Sequence, residues 1–486
     1  MNPSQLDPRD AVSRRRFLAS TAAGIALARA AQPAGETPAV RPNVVFVFAD
    51  QWRAQATPFK DDPNVQTPFL ARLAAESVRF THAVSSCPVC SPYRASLLTG
   101  RRALTHGVFI NDVPLNNEAV SIAQAFNGAG YATAYIGKWH VDGSGSRSAF
   151  IPRERRQGFQ FWKVLECTHD YNRSAYYGDE NRKLFWDGYD AMAQTREARS
   201  YIHERDRGRP FALFLSWGPP HDPYHTAPPE HRARFEADKL VLRPNVPPAA
   251  AAAARRDLAG YYAHGAALDA CLGDLLATLQ ECGVAEDTVV VVTSDHGDML
   301  GSQGQRMKQR PWDESILVPL LIRLPAASGR TPRVIDMPLS APDLMPTLLG
   351  LCNVAVPSTV EGRNCAAIVR GATSPTEDRA ALILCAAPFG QWTRGQGGRE
   401  YRGIRTSRYT YVRDRSGPWL LYDTAEDPYQ QRNLCGVPEH AALQKALDDA
   451  LARELSAARD EFLPAAAYIE RWGYKVDASG TMPYTS

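Results

Sequence analysis

The chain has 486 residues, 22% of them charged and 44% hydrophobic, with 55 Lys and Arg against 52 Asp and Glu and a formal net charge of +3. That balance excludes a protein that binds polyanions through bulk charge, although local basic clusters remain free to bind an anionic substrate, and no nucleic-acid partner is expected. The length provides for one large domain and a smaller one, and nine cysteines without a repeating spacing, an odd number, argue against a disulfide framework.

In chain order, Ser13-Arg14-Arg15-Arg16-Phe17-Leu18 precedes a mild, Ala-rich apolar stretch over 19–28, and Ala28-Arg29-Ala30 offers a cleavage site. This order reads as a twin-arginine export signal over 1–30, followed by a Pro/Gly linker over 31–42. The mature chain is expected to be periplasmic or secreted, and with no later apolar run long enough to span a bilayer, no transmembrane anchor is expected.

Four near-continuous apolar runs are predicted as buried parallel strands, each ending in a polar loop. Residues 43–48 lead to Ala49-Asp50-Gln51 and 132–136 to Gly137-Lys138-Trp139-His140. Residues 211–217 lead to Pro219-Pro220-His221-Asp222 and 288–293 to Ser294-Asp295-His296-Gly297. Helical stretches at 118–128 and 249–280 intervene, so the pattern is α/β, in which ligands collect at the carboxyl ends of strands. Between the first two strands runs Cys87-Pro88-Val89-Cys90-Ser91-Pro92-Tyr93-Arg94-Ala95-Ser96-Leu97-Leu98-Thr99-Gly100-Arg101. Ser91 is predicted to cap a short helix, Pro92 to open it and Gly100 to stop it. Cys90 then stands at a helix N-terminus, which favours an anion and activates a thiolate; the alternative is a small core residue. Further on, 402–412 and 419–423 alternate like antiparallel strands and 439–457 reads as a helix, so a catalytic domain over 43–376 and a C-terminal subdomain over 377–486 are expected.

The run Cys-x-Pro-x-Arg, an apolar pair, Thr and Gly, continued by His106-Gly107-Val108 and Asn111-Asp112, resembles the maturation signature of type I sulfatases of the alkaline phosphatase superfamily, in which the cysteine is oxidised to formylglycine. Tyr93 stands where that family most often has Ser or another small residue. The resemblance covers nearly the whole mature chain. It implies a large mixed, mostly parallel sheet flanked by helices, with a smaller C-terminal antiparallel sheet-and-helix subdomain.

Asp50 and Asp295, at the ends of two strands, are natural hard-oxygen ligands, and the resemblance implies one divalent cation held by Asp50, Gln51, Asp295 and His296 beside Cys90. Gln51 and His296 replace an Asp and an Asn usual in the family, so calcium is expected with manganese as the competitor. The resemblance also implies that Arg94 and Lys138 hold the anionic form of the hydrated aldehyde and that Lys308 binds the sulfuryl oxygens. His221, on a Pro-fixed loop, is assigned as general acid, and His140 as the base that expels sulfate. Asn111 is expected either to contact the substrate anion or to form a turn; His225 and Trp139 are rim candidates without a catalytic role.

The expected function is hydrolysis of a sulfate monoester on a sugar, the partners being a sulfated small molecule or glycan and a formylglycine-generating enzyme acting before export. The competing readings are a phosphonate monoester hydrolase or phosphodiesterase of the same superfamily and a non-catalytic sulfated-glycan-binding protein. Loops at 144–156, 167–182 and 388–399 are expected to set the substrate.

Overall fold

The four apolar runs become four adjacent strands at the centre of an eight-stranded sheet. The computed structural model describes residues 41–60, 62–375 and 379–484; the export signal, most of the linker and the 376/377 boundary fall outside the described residues. The strands that matter are β1 (Asn43–Asp50), β2 (Ala132–Lys138), β3 (Phe161–Leu165), β4 (Phe211–Pro220) and β5 (Thr288–Ser294). β1 pairs in parallel with β4 and β5, and β2 in parallel with β4 and β3. The sheet runs Arg333–Ile335, Val78–Phe80, Leu320–Arg323, β5, β1, β4, β2, β3. Leu320–Arg323 is antiparallel to both its neighbours, which makes the sheet mixed but mostly parallel.

Every residue of β4 and β5 is buried, which is why these segments read as continuous apolar runs rather than as an alternation. Alternation survives as a choice of face. Val44, Phe46 and Phe48 join one core with Tyr93, Leu97 and Leu98, while Val45, Val47 and Ala49 join a second core with Ile202, Leu268 and Leu275. The first face carries α1 (Cys90–Thr99); the second carries α2 (Asp190–Glu204) and α3 (Ala251–Glu281).

Two expectations are corrected here. Helix α1 starts at Cys90, with Val89 in the extended conformation before it, so Ser91 lies inside the helix and does not cap it; Gly100 stops it in the left-handed conformation, φ 65°. Ser91 N–H is satisfied instead by Asn111 Oδ1, at 3.0 Å. Trp139 is not at a rim but fully buried, edge-on to Tyr135, Phe159 and Trp162.

The smaller antiparallel sheet comprises Ala381–Cys385, Tyr401–Arg405, Tyr409–Asp414 and Gly417–Asp423, followed by the helix Ala441–Ala458. All nine cysteines are unpaired. Among the described residues no helix is long and apolar enough to cross a membrane.

Candidate active site

The carboxyl ends of β1, β2, β4 and β5 deliver Asp50, Lys138, His221 and Asp295 to the first turn of α1, as the sequence predicted. The backbone leaves regular strand geometry there: Gln51 has φ 71° and His140 φ 59°. Gly137, with φ 106°, must be glycine, because a Cβ at that position would lie 2.0 Å from the Ser216 carbonyl oxygen. β2 can therefore press against β4 and still project Lys138 into the site.

Cys90 Sγ lies 3.2 Å from His296 Nε2, 3.2 Å from Lys308 Nζ, 3.5 Å from Asp50 Oδ1 and 4.0 Å from Lys138 Nζ. Lys138 Nζ is 2.7 Å from Asp50 Oδ2, and Arg94 Nη2 bridges Asp50 and Asp295 at 3.1 and 3.0 Å. Arg94 is fixed in turn by donating from Nη1 to Lys138 O and Ser216 Oγ, both at 2.8 Å. Burial and the Asp50 charge would raise the Cys90 thiol, but Lys138, Lys308 and His296 hold it well below the usual thiol range. Burial would likewise raise Asp50; the charges of Lys138, Lys308 and Arg94 hold it well below the carboxylate range. Residue 90, at the N-terminus of a ten-residue helix, therefore sits where an anion is favoured.

The donor set fits a divalent cation. Ligand atoms of Asp50, Cys90, Asp295 and His296 lie within 4.8 Å of one another and all four residues are buried. His296 Nδ1 donates to Gly297 O at 2.9 Å, which leaves Nε2 facing Asp50 Oδ1 and Asp295 Oδ1, each 3.6 Å away. Asp295 is pushed up to about 6 by burial and by the neighbouring Asp50 charge, as for two carboxylates sharing one site. Gln51, next to Asp50, donates from Nε2 to Asp298 Oδ2 at 2.7 Å, and its Oε1 accepts from Lys308 Nζ at 3.1 Å.

The two histidines differ in environment. His221 Nε2 is 2.7 Å from Lys308 Nζ, and its Nδ1 donates to Asp222 O at 2.9 Å; burial and Lys308 keep this ring neutral, well below the usual imidazole value. His140 Nε2 donates to Asp112 Oδ1 at 2.9 Å, and its Nδ1 is buried without a partner. Burial opposes charging His140, but Cys167 and Asp112 raise it to about 10.

The structure thus gathers Cys90, Arg94, Lys138, Lys308, His221, Asp50, Gln51, Asp295 and His296 into one connected cluster, with His140 beside it, its proton affinity raised in part by the Cys90 thiol. Asn111 contributes through α1, its amide oxygen committed to Ser91. Sequence reasoning missed four residues. Asp298, three residues beyond Asp295, anchors Gln51, Tyr224 and the Met307 amide. Asp112 lies in the quoted Asn111-Asp112 pair. Cys167 and His169 lie in a loop noted only for specificity: His169 stacks on His221 with centroids 4.7 Å apart, and Cys167 Sγ is 4.0 Å from His169 Nε2.

Residues 42–354 match a family model described as Sulfatase, and 301–457 one described as N-sulphoglucosamine sulphohydrolase, C-terminal. An ulvan-active sulfatase of Formosa agariphila is 43% identical over 89% of this chain and 85% of its own. An endo-4-O-sulfatase of Bacteroides thetaiotaomicron is 32% identical over 82% of this chain and 88% of its own. A solved Bacteroides thetaiotaomicron structure, described in connection with the metabolism of multiple glycosaminoglycans, superposes with a TM-score of 0.79 at 30% identity, covering 89% of this chain and 98% of that one.

Proposed function

The chain belongs to the sulfatase family and hydrolyses sulfate esters; from that premise we propose that its substrate is a sulfated saccharide and that Cys90, oxidised to formylglycine, is the nucleophilic residue. The observation that carries this reading is the position of Cys90 at a helix N-terminus, 3.2 Å from both His296 Nε2 and Lys308 Nζ. The saccharide is supported by the names of the relatives, an ulvan-active sulfatase and an endo-4-O-sulfatase.

Asp50, Gln51, Asp295 and His296 would hold one divalent cation, calcium with manganese as the competitor, because two carboxylates and an amide oxygen are hard donors and the imidazole is borderline. When bound, the cation supplies positive charge that lowers the cost of an oxyanion at residue 90. Oxidised and hydrated, residue 90 supplies two hydroxyls on one carbon, one to attack sulfur and one to expel sulfate.

The chain's own residues do the rest. Lys138 and Arg94 keep positive charge against residue 90 and Asp50. Lys308 binds the sulfuryl oxygens. Because Lys308 Nζ and His221 Nε2 are 2.7 Å apart with the ring neutral, the two share one proton, and that pair protonates the leaving oxygen. His140 takes the proton of the second hydroxyl at Nδ1 while its Nε2 stays on Asp112, so bound sulfate leaves with the electron pair of its bond to residue 90.

Maturation requires a formylglycine-generating enzyme, and the Arg14-Arg15 segment supports export of the chain after it has folded. Peptide mass spectrometry on active protein tests the nucleophile: formylglycine is expected at residue 90, and an unmodified thiol throughout a fully active sample overturns it. Sulfate release from sulfated mono- and disaccharides, compared with turnover of an aryl phosphonate monoester, tests the substrate.

A further inference from the structure

A cavity of about 480 Å³ opens beside the cluster described above, within the roughly 300–1,000 Å³ usual for small-molecule sites. It shares a wall with the active site. Asp222, in its lining, faces His221 Nδ1 through Oδ1 at 3.1 Å; Met307 adjoins Lys308, and its Sδ is 3.8 Å from Gln51 Nε2. The cavity therefore adjoins the place where Lys308 and His221 meet the ester in the proposed mechanism.

The charges facing this cavity do not cancel. Its acids are Asp222 and Asp257, and its arginines are Arg232, Arg256 and Arg306. Asp257 is taken by Arg306 at 2.8 Å, and Asp222 lies against His221. Among the described residues, the Arg232 and Arg256 side chains make no hydrogen bond or ion pair, and both are exposed. His225 adds an exposed imidazole to the same wall, and Ala259 and Gly260 of α3 keep the floor free of long side chains. Two unengaged guanidinium forks around one saccharide-sized space are suited to a planar carboxylate or a sulfate group.

We propose that this cavity is a second anion subsite, in which Arg232 and Arg256 bind a carboxylate or sulfate on the saccharide next to the ester being cleaved. The proposal rests on the reading of the neighbouring cluster as a saccharide sulfatase and narrows it: the substrate carries at least two anionic groups, only one of which is hydrolysed. The shared chemistry is an oxyanion, and the probes distinguish its two sources.

The test compares wild type with an Arg232→Ala, Arg256→Ala double variant on four probes. These are 4-nitrophenyl sulfate, a sulfated disaccharide bearing a uronate carboxylate, the same disaccharide with that carboxylate reduced to an alcohol, and the reduced disaccharide bearing a second sulfate. Wild type is expected to prefer a doubly charged disaccharide over the reduced one, and the preference to weaken with added sodium chloride as the guanidinium charge is screened. A preference for the uronate identifies a carboxylate as the bound group, and one for the disulfate identifies sulfate. In the double variant, kcat/KM on the preferred disaccharide relative to 4-nitrophenyl sulfate is expected to fall about tenfold, mainly through KM. Equal wild-type activity on charged and reduced disaccharides, or an unchanged ratio in the double variant, overturns the subsite while leaving the sulfatase reading in place. Absence of sulfate release from every probe by matured wild type overturns both.

Discussion

Asp50 has no exposed surface and is ringed by Lys138, Arg94 and Lys308, so its negative charge is compensated within the protein before any ligand arrives. Asp295 is less well compensated, because among the described residues Arg94 is the only cationic side chain paired with it apart from His296. Asp50→Ala and Asp295→Ala are each expected to lose the proposed divalent cation and roughly 100- to 1,000-fold or more in turnover, checked by metal analysis of purified variants alongside sulfate release. Full activity, or metal retained at wild-type stoichiometry, would refute the ligand assignment. The two histidines separate kinetically. His221→Ala should cost about 10²- to 10⁴-fold on alkyl esters and far less on aryl esters, whose leaving groups need little protonation. His140→Ala should instead trap sulfate on residue 90, giving an initial burst and then slow release. Because His140 is held near 10 by Cys167 and Asp112 against burial, its proton-accepting form is the minority near neutrality, and sulfate release in wild type should accelerate as pH rises toward that value. Rapid-quench measurements along a leaving-group series check both roles; equal losses across the series with no adduct would show the division of labour to be wrong.

At the scale of elements, burial on both faces made the central strands readable: Val289 to Val292 of β5 can be little else than a covered strand. The start of α1 was misplaced for a physical reason. Its cap is Asn111, twenty residues away, and local capping preference cannot register a donor satisfied across the fold. Helix α2 carries a comparable surprise at its first residue. Asp190 is 1% exposed and its Oδ1 has no partner. Burial pushes this carboxyl up to about 8, outweighing the Ser174 hydroxyl and the Ala191 N–H, although a helix N-terminus ordinarily favours the anion. The folded pKa lies above the unfolded value of about 3.9, so this group's contribution to stability is present below pH 4 and is lost as pH rises to about 8. Asp190→Asn should therefore gain in Tm relative to wild type as pH rises from 4 to 8, by a few degrees, and show no further gain above. Calorimetry across that range checks it; a difference independent of pH would mean the carboxyl titrates normally.

At the scale of the whole molecule, the strand order brings β5, β1, β4 and β2 side by side, and the site is the line of their carboxyl ends closed by α1 and the Lys308 loop. Of the residues that touch residue 90, Asp50, Lys138 and His296 were legible because each follows an apolar run, whereas Lys308 came only through the family resemblance. Those that orient them were not: Asp298 fixes Gln51, and Cys167 tunes His140, through contacts that only the assembled sheet creates. Tyr484 is the most distant of these. Its hydroxyl donates to Asp112 Oδ1 at 2.7 Å, the same oxygen that receives His140 Nε2, while Arg147 holds Asp112 Oδ2 at 2.7 Å and lies over the Tyr484 ring at 5.9 Å. Three donors thus converge on one buried carboxylate, which in the proposed mechanism orients His140 so that its Nδ1 meets the second hydroxyl of residue 90. Tyr484→Phe removes one hydrogen bond and keeps the ring; a chain ending at Pro483 removes both. One hydrogen bond to a charged acceptor is worth about 1.5–3 kcal/mol, but Asp112 keeps its other two donors, so we expect a loss of about 3- to 10-fold in sulfate release for Tyr484→Phe and more for the truncation. The loss should fall on steady-state turnover while the initial burst and Tm remain near wild type, because the residue positions the base and not the nucleophile. Wild-type turnover in both proteins, or a loss confined to the burst, would show that Asp112 and Arg147 orient His140 unaided.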